Sequence, residues 1–165
     1  YVLTKMDDLG FSDLIPKFDI NTKERKIYLE IDGPDMWELA GCTGTDYSHV
    51  VPDWSEQMLN IIQAHRDLGM YKFSLHPSSY FIVDGKLKSI NYFFSYYEHD
   101  EFISPASVMS HISEDRRKEL FPKMEAMGIN IDRVYPFKDL QLLAFDSFKN
   151  NFSNQVMEEA KNIYV

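Results

Sequence analysis

Tyr80-Phe81-Ile82-Val83-Asp84-Gly85-Lys86-Leu87-Lys88-Ser89-Ile90 is the stretch on which the fold turns. Two runs rich in β-branched and aromatic residues flank Asp84-Gly85. Asp-Gly between such runs favours a two-residue type I′ turn, because glycine tolerates positive φ. The spacing therefore predicts a hairpin, Tyr80–Val83 against Lys86–Ile90. Upstream lies Leu75-His76-Pro77-Ser78-Ser79, in which Pro77 pushes His76 towards extended geometry. A polar loop thus feeds the hairpin, which runs on into Ile90-Asn91-Tyr92-Phe93.

Working outward, Asp53 with Glu56 three residues on has the form of a capping box. Met58, Ile61, Ile62, His65 and Leu68 follow at helical spacing, and Gly69 is a natural stop. Met6 to Phe11 reads as a helix end and Phe18-Asp19-Ile20 as a short strand. Lys26 to Ile31 is a second strand, with Ile27, Leu29 and Ile31 on one face. Asp35 to Ala40 is a short helical turn. Ser95 to Ser104 is polar and aromatic, without a period. Ser113 caps a helix that Pro122 should kink or restart and Gly128 should end. Phe137, Leu140, Ala144 and Phe148 share one side of a further helix. Ser153 caps the last one, from about Asn154 to Ile163. The sum is an α+β chain, mostly helical with an embedded hairpin.

Composition narrows the function classes. A chain of 165 residues with 44% apolar and 15% aromatic residues has enough material for a packed core, which argues against disorder. A formal net charge of −9 disfavours nucleic acid or an anionic membrane as a generic partner. No apolar run reaches the length of a membrane span. The single cysteine, Cys42, allows no internal disulfide and fits a reducing compartment, hence a cytoplasmic expectation. The chain opens on Tyr1 rather than Met, which leaves room for residues upstream.

Loop, hairpin and the Asn91 segment, in that order behind a capped helix, resemble the protein-kinase-like superfamily. Tyr28-Leu29-Glu30-Ile31-Asp32-Gly33 with Met36-Trp37-Glu38-Leu39 resembles the last small-lobe strand and the hinge. Asp53 to Gly69 resembles the long helix before the catalytic loop, Leu75 to Ser79 that loop, and Ile90-Asn91-Tyr92 the start of the Asp-Phe-Gly segment. The resemblance implies a truncated small lobe and hinge over residues 1–33 and a helical large lobe over 34–165.

It also implies a degenerate catalytic centre. By the family's spacing from Pro77, the catalytic Asp falls at Ser74, the metal-holding Asn at Ser79 and the Asp of Asp-Phe-Gly at Asn91. Phosphoryl transfer depends on Mg²⁺ neutralising the phosphates, and Mg²⁺ is held through carboxylates and phosphate oxygens. Asn91 has no charge and serine is a weaker ligand, so Mg²⁺ is not expected to be held. The base is lost as well, and such a group typically gives roughly 10²–10⁴-fold in rate. The glycine-rich loop and strand lysine belong upstream of Met6, and Tyr1 to Lys5 supplies neither.

Other residues offer competing readings. His65-Arg66-Asp67 spells the family's catalytic triplet, but Asp67 lies ten residues before Pro77 instead of three, on the last turn of a helix. It reads as solvated, with His65 partly buried. His76 is the best titratable candidate beside Ser74, against a purely structural His-Pro. Glu98, His99, Asp100 and Glu101 are either a metal site or a solvated face. Lys72, Lys86 and Lys88 either touch phosphates or line a solvent face. The adenine site is the part expected to survive, since the hinge binds purine through backbone groups. It would use the Glu30 carbonyl and the Asp32 N–H, with Leu29, Phe81 and Ile90 as apolar walls. Tyr80, Phe81, Tyr92 and Phe93 are bulky enough to fill that slot, so ATP binding is expected to be weak or absent.

Two functions from different classes follow from the resemblance. One is a catalytically dead, kinase-like module that binds a protein partner or, weakly, a nucleotide. The other is an active, atypical ATP-dependent phosphotransferase whose missing parts lie upstream or on another chain.

Overall fold

A computed structural model of the chain describes residues 1–92, 95–97, 102–110, 112–126 and 128–165, with Val108 in its backbone only. The fold is α+β. It begins with helix α1 (Val2–Asp8) and the antiparallel pair β1 (Phe18–Asn21) and β2 (Lys26–Leu29). A one-turn helix α2 (Met36–Leu39) precedes the long helix α3 (Trp54–Asp67). Strand β3 (Met70–Lys72) follows at once, then the hairpin β4 (Tyr80–Val83) and β5 (Lys86–Ser89). Then come β6 (Ser95–Tyr97), β7 (Phe102–Ile103), α4 (Pro105–Val108), α5 (Glu114–Ala126), β8 (Tyr135–Pro136), α6 (Phe137–Ser147) and α7 (Asn154–Tyr164).

The hairpin forms as its turn demands. Tyr80 pairs with Ser89 and Val83 with Lys86, and Asp84 and Gly85 both have positive φ, at 51° and 74°. Those two angles are what a type I′ turn requires. Gln57 on α3 then pins the hairpin. Its Oε1 accepts the Leu87 N–H at 2.8 Å and its Nε2 donates to the Gly85 carbonyl at 2.9 Å.

The stripe on α3 is core: Met58, Ile61, Ile62 and His65 are all buried. They meet Tyr71, Leu75, Tyr80 and Leu87 on one side, and Phe152, Val156 and Ala160 at the start of α7 and beyond. Two long-range hydrogen bonds hold the C-terminal helices to β3: the Tyr164 hydroxyl donates to the Met70 carbonyl at 2.7 Å, and Gln141 Nε2 donates to the Lys72 carbonyl at 3.0 Å.

Several local expectations are corrected. The capping box forms at Asp35, not at Asp53. Asp35 has extended backbone, so its carboxylate accepts the Glu38 N–H at 2.9 Å while Glu38 accepts the Asp35 N–H at 3.2 Å. Asp53 has φ −102° and ψ 26°, which turns its side chain from the N3 amide; its Oδ1 takes the Gln57 side-chain amide instead. Pro122 does not interrupt α5, which runs unbroken to Ala126 before Gly128 ends it at φ +84°. The supposedly periodless segment holds two strands: β6 pairs with β3, and β7 pairs with β8. Ile27 and Leu29 do share a face of β2, yet that face is open, Ile27 being 56% exposed.

Candidate functional site

The loop Leu75–Ser79 closes on the hairpin through a short 3₁₀ turn at Pro77–Ser79. The Ser79 N–H donates to the His76 carbonyl at 2.8 Å, and the Ile90 N–H donates to the Ser79 carbonyl at 2.9 Å. These two bonds bring Ser79 against the end of β5 and so against Asn91. Asn91 has φ +62°, a left-handed backbone that asparagine tolerates better than most residues. Its Nδ2 donates to the buried Ser79 Oγ at 3.1 Å. Two of the three degenerate positions are therefore brought together, and each serves as the other's hydrogen-bond partner.

The third, Ser74, is reached through its main chain: its carbonyl accepts from the Lys72 ammonium. Of the two readings offered for Lys72, phosphate contact or a solvent face, the solvent face fails. Lys72 is 1% exposed, because β3 lies between α3, α6 and β6 with no edge to solvent. Its Nζ sits 5.3 Å from the Tyr92 ring centre and 5.9 Å from that of Tyr80. Aromatic faces attract a cation but do not replace water, and burial pulls the Lys72 pKa down to about 7. His65 lies in the same interior, fully rather than partly buried, with Nε2 2.9 Å from the Tyr92 hydroxyl. Burial, and then the Lys72 charge, hold the His65 pKa well below its ordinary value.

His76 is held by its own turn. The Ser78 N–H, which can only donate, lies 3.1 Å from Nδ1, so Nδ1 is unprotonated and the Ser78 hydroxyl donates to it as well at 2.8 Å. The Trp37 ring packs edge-on at 5.0 Å. Partial burial lowers the His76 pKa, and Asp35 opposes that shift. The side chain is neutral and engaged, a structural arrangement. Asp67 is exposed at the end of α3, and its Oδ1 accepts from Gln63 Nε2 at 2.8 Å. Lys88 donates to the Asp13 carbonyl and Lys86 is exposed. Among the described residues no three His, Cys, Asp or Glu side chains form a metal-binding group. Glu98, His99, Asp100 and Glu101 lie outside the described residues, as does Phe93.

A cavity of about 420 Å³ lies between β2 and the end of the hairpin. Leu29 and Ile90, two residues named for a purine slot, line it together with Ile20, Ile27, Asn91, Tyr92, Tyr1, Val2 and Leu3. Glu30, Asp32 and Phe81 do not line it. Phe81 pairs through its backbone with Asp35. Tyr80, a residue expected to fill the slot, turns inward and meets Phe152 edge-on at 6.3 Å. The Glu30 carbonyl and the Asp32 N–H have no hydrogen-bond partner among the described residues. The Glu30 carboxylate reaches Lys17 at 3.9 Å, an exposed and weak pair.

Sequence reasoning named Lys72 but missed its burial, and the one signal for that was its place between Tyr71 and Phe73 in a run too short to read as a strand. No helix among the described residues is long and apolar enough to cross a membrane. Comparison with protein-family models, curated proteins and solved structures finds no match to the chain.

Proposed function

We propose that the chain is a catalytically degenerate, kinase-like module that acts by binding a protein partner and, weakly, a nucleotide. The observation that carries this reading is the Asn91–Ser79 hydrogen bond. At the two positions where the resemblance implies metal ligands, two neutral side chains satisfy each other. A cation entering there would have to break that bond and would gain no carboxylate in return. The base position, Ser74, contributes only a main-chain carbonyl that is already engaged. Support for a protein partner comes from the apolar flank of β1–β2, where Ile20, Ile27, Tyr28 and Leu29 stand exposed. The net charge of −9 supports a partner other than nucleic acid. The lone, exposed Cys42 supports a reducing compartment such as the cytoplasm.

One observation favours the second reading, an atypical phosphotransferase completed by residues upstream or on another chain. A cavity is open at Leu29 and Ile90, and the Glu30 carbonyl and Asp32 N–H have no hydrogen-bond partner among the described residues. Calorimetric titration of ATP with and without Mg²⁺ separates the two. The degenerate module binds ATP weakly, with the two affinities within about threefold of each other, since only solvent-screened charge distinguishes them. A gain of tenfold or more with Mg²⁺ overturns it in favour of the phosphotransferase.

A further inference from the structure

Helix α5 is strongly polar, and none of its side chains is fully buried. The reason lies between α5 and α6. Leu120 and Met124 of α5 line a cavity of about 320 Å³, beside the place where Met124 packs on Ile129 and Leu140. The opposite wall is Leu140 and Ala144 of α6 with Phe148 just after it, and Phe73 and Met109 also line the cavity. Interiors pack at crystal density, and a gap of this size forfeits contacts on every lining side chain. Its lining is predominantly apolar, and its volume falls within the range of small-molecule sites. The hydroxyl of Ser147, on the same wall, donates to the Leu143 carbonyl at 2.8 Å and so asks for no polar partner.

One charged residue borders the cavity, Lys123. Its stem lies along the apolar wall while the residue remains exposed, the usual disposition of a long cationic side chain at such a boundary. Among the described residues it makes no ion pair or hydrogen bond, whereas Lys118 on the same helix is paired with Glu114 at 3.0 Å. The chain as a whole, at −9, repels anions. The local charge at this mouth is of the opposite sign.

We propose that this cavity is a binding site for a small amphipathic carboxylate, its hydrocarbon body between Phe73, Met124 and Leu140 and its anionic head at the Lys123 ammonium. The site is separate from the Leu29–Ile90 cleft and does not depend on how that cleft is read.

The test uses decanoate as the probe, with decylammonium as the same chain carrying the opposite charge. Methyl-labelled methionine NMR follows the titration. Met109 and Met124 line the cavity, so the expected result is saturable shifts at those two methyls. Decanoate is expected to bind more tightly than decylammonium. Lys123→Gln, an exposed change, weakens decanoate by about threefold, the scale of a solvent-screened charge pair, and leaves decylammonium no weaker. Ala144→Trp fills the cavity and abolishes binding of both. Met124→Trp does the same from the facing helix, should the first variant fold poorly. No saturable shift at Met109 and Met124, or unchanged binding in a folded cavity-filling variant, overturns the site. Equal affinity for the two probes overturns the carboxylate and leaves a pocket for an uncharged apolar group.

Discussion

Asn91 Nδ2 donates to Ser79 Oγ across 3.1 Å, and the two residues lie twelve positions apart on either side of a tight hairpin. The Asp84-Gly85 turn sets the register, the register sets Ile90 N–H on the Ser79 carbonyl, and that bond places Asn91 over the serine. The hairpin thus holds the two neutral side chains as each other's partners.

Restoring charge at that geometry is a direct check. Asn91→Asp keeps the size and lets the Ser79 hydroxyl donate to the new carboxylate. Mg²⁺ should then strengthen ATP binding by roughly tenfold, because one carboxylate is the least a hard cation uses beside phosphate. Calorimetry on the variant checks this, and no Mg²⁺ response would mean that Asn91 does not face the phosphate path.

Lys72 gives the folded state a pH dependence of known sign. Its folded pKa is about 7 against an ordinary 10.5, so between those values the unfolded chain binds more protons. Stability therefore rises with pH between about 7 and 10.5 and, as far as Lys72 is concerned, levels off at its lowest below the folded pKa, where both states are protonated. The slope is at most about 1.4 kcal/mol per pH unit, that of one proton. Above pH 10 the buried tyrosines Tyr80 and Tyr92 act in the opposite direction, because burial raises their pKa and the unfolded phenols ionise first. His65 has a lowered pKa, so its loss of stability comes below pH 6.5 and leaves the window above 7 to Lys72. Urea midpoints from pH 7 to 9 should climb in the wild type and stay flat in Lys72→Met, which should also be the more stable protein at pH 7. Equal slopes would mean that Lys72 is not buried as described.

The hairpin and α3 were legible because their signals are local: a turn dipeptide, a stripe, a terminal glycine. The pair β3–β6 was not, since Met70-Tyr71-Lys72 carries a lysine and its partner lies some 25 residues on. A lysine reads as solvent-facing unless its neighbours are known. The capping box was misplaced for a different reason. Asp35-Met36-Trp37-Glu38 and Asp53-Trp54-Ser55-Glu56 have the same acidic spacing, and only backbone geometry and competition from Gln57 separate them.

Gln57 is expected to be worth more than an ordinary surface glutamine. Gln57→Ala removes a donor to Gly85 and strands the Leu87 N–H in a partly buried place. The loss should be about 1–3 kcal/mol, the cost of an unsatisfied buried group plus a lost bond. Gln57→Glu keeps an acceptor for Leu87 and should lose less. A urea midpoint for Gln57→Ala equal to wild type, with unchanged slope, would show that the clamp contributes nothing.

Tyr80 presents the reverse case. Its ring is fully buried against Phe152, and its hydroxyl has no hydrogen-bond partner among the described residues. A buried polar group without a partner costs free energy, so removing it should not destabilise. Tyr80→Phe is expected to be neutral or to stabilise by up to about 1 kcal/mol. A loss of more than about 1 kcal/mol would mean that the hydroxyl is satisfied.

The last prediction concerns Leu29. Its side chain closes the back of the cavity shared with Ile90, and it is 37% exposed, so enlarging it does not threaten the core. A purine entering there would stack between Leu29 and Ile90. Two aliphatic walls support only weak binding, in the ~mM range near −4 kcal/mol. Ligand-observed NMR with adenosine should show that affinity in the wild type and none in Leu29→Trp, where the indole occupies the slot. Adenosine binding unchanged by Leu29→Trp would place the nucleoside elsewhere. Micromolar binding that Leu29→Trp removes would exceed what this cleft offers a spectator ligand and would favour the phosphotransferase.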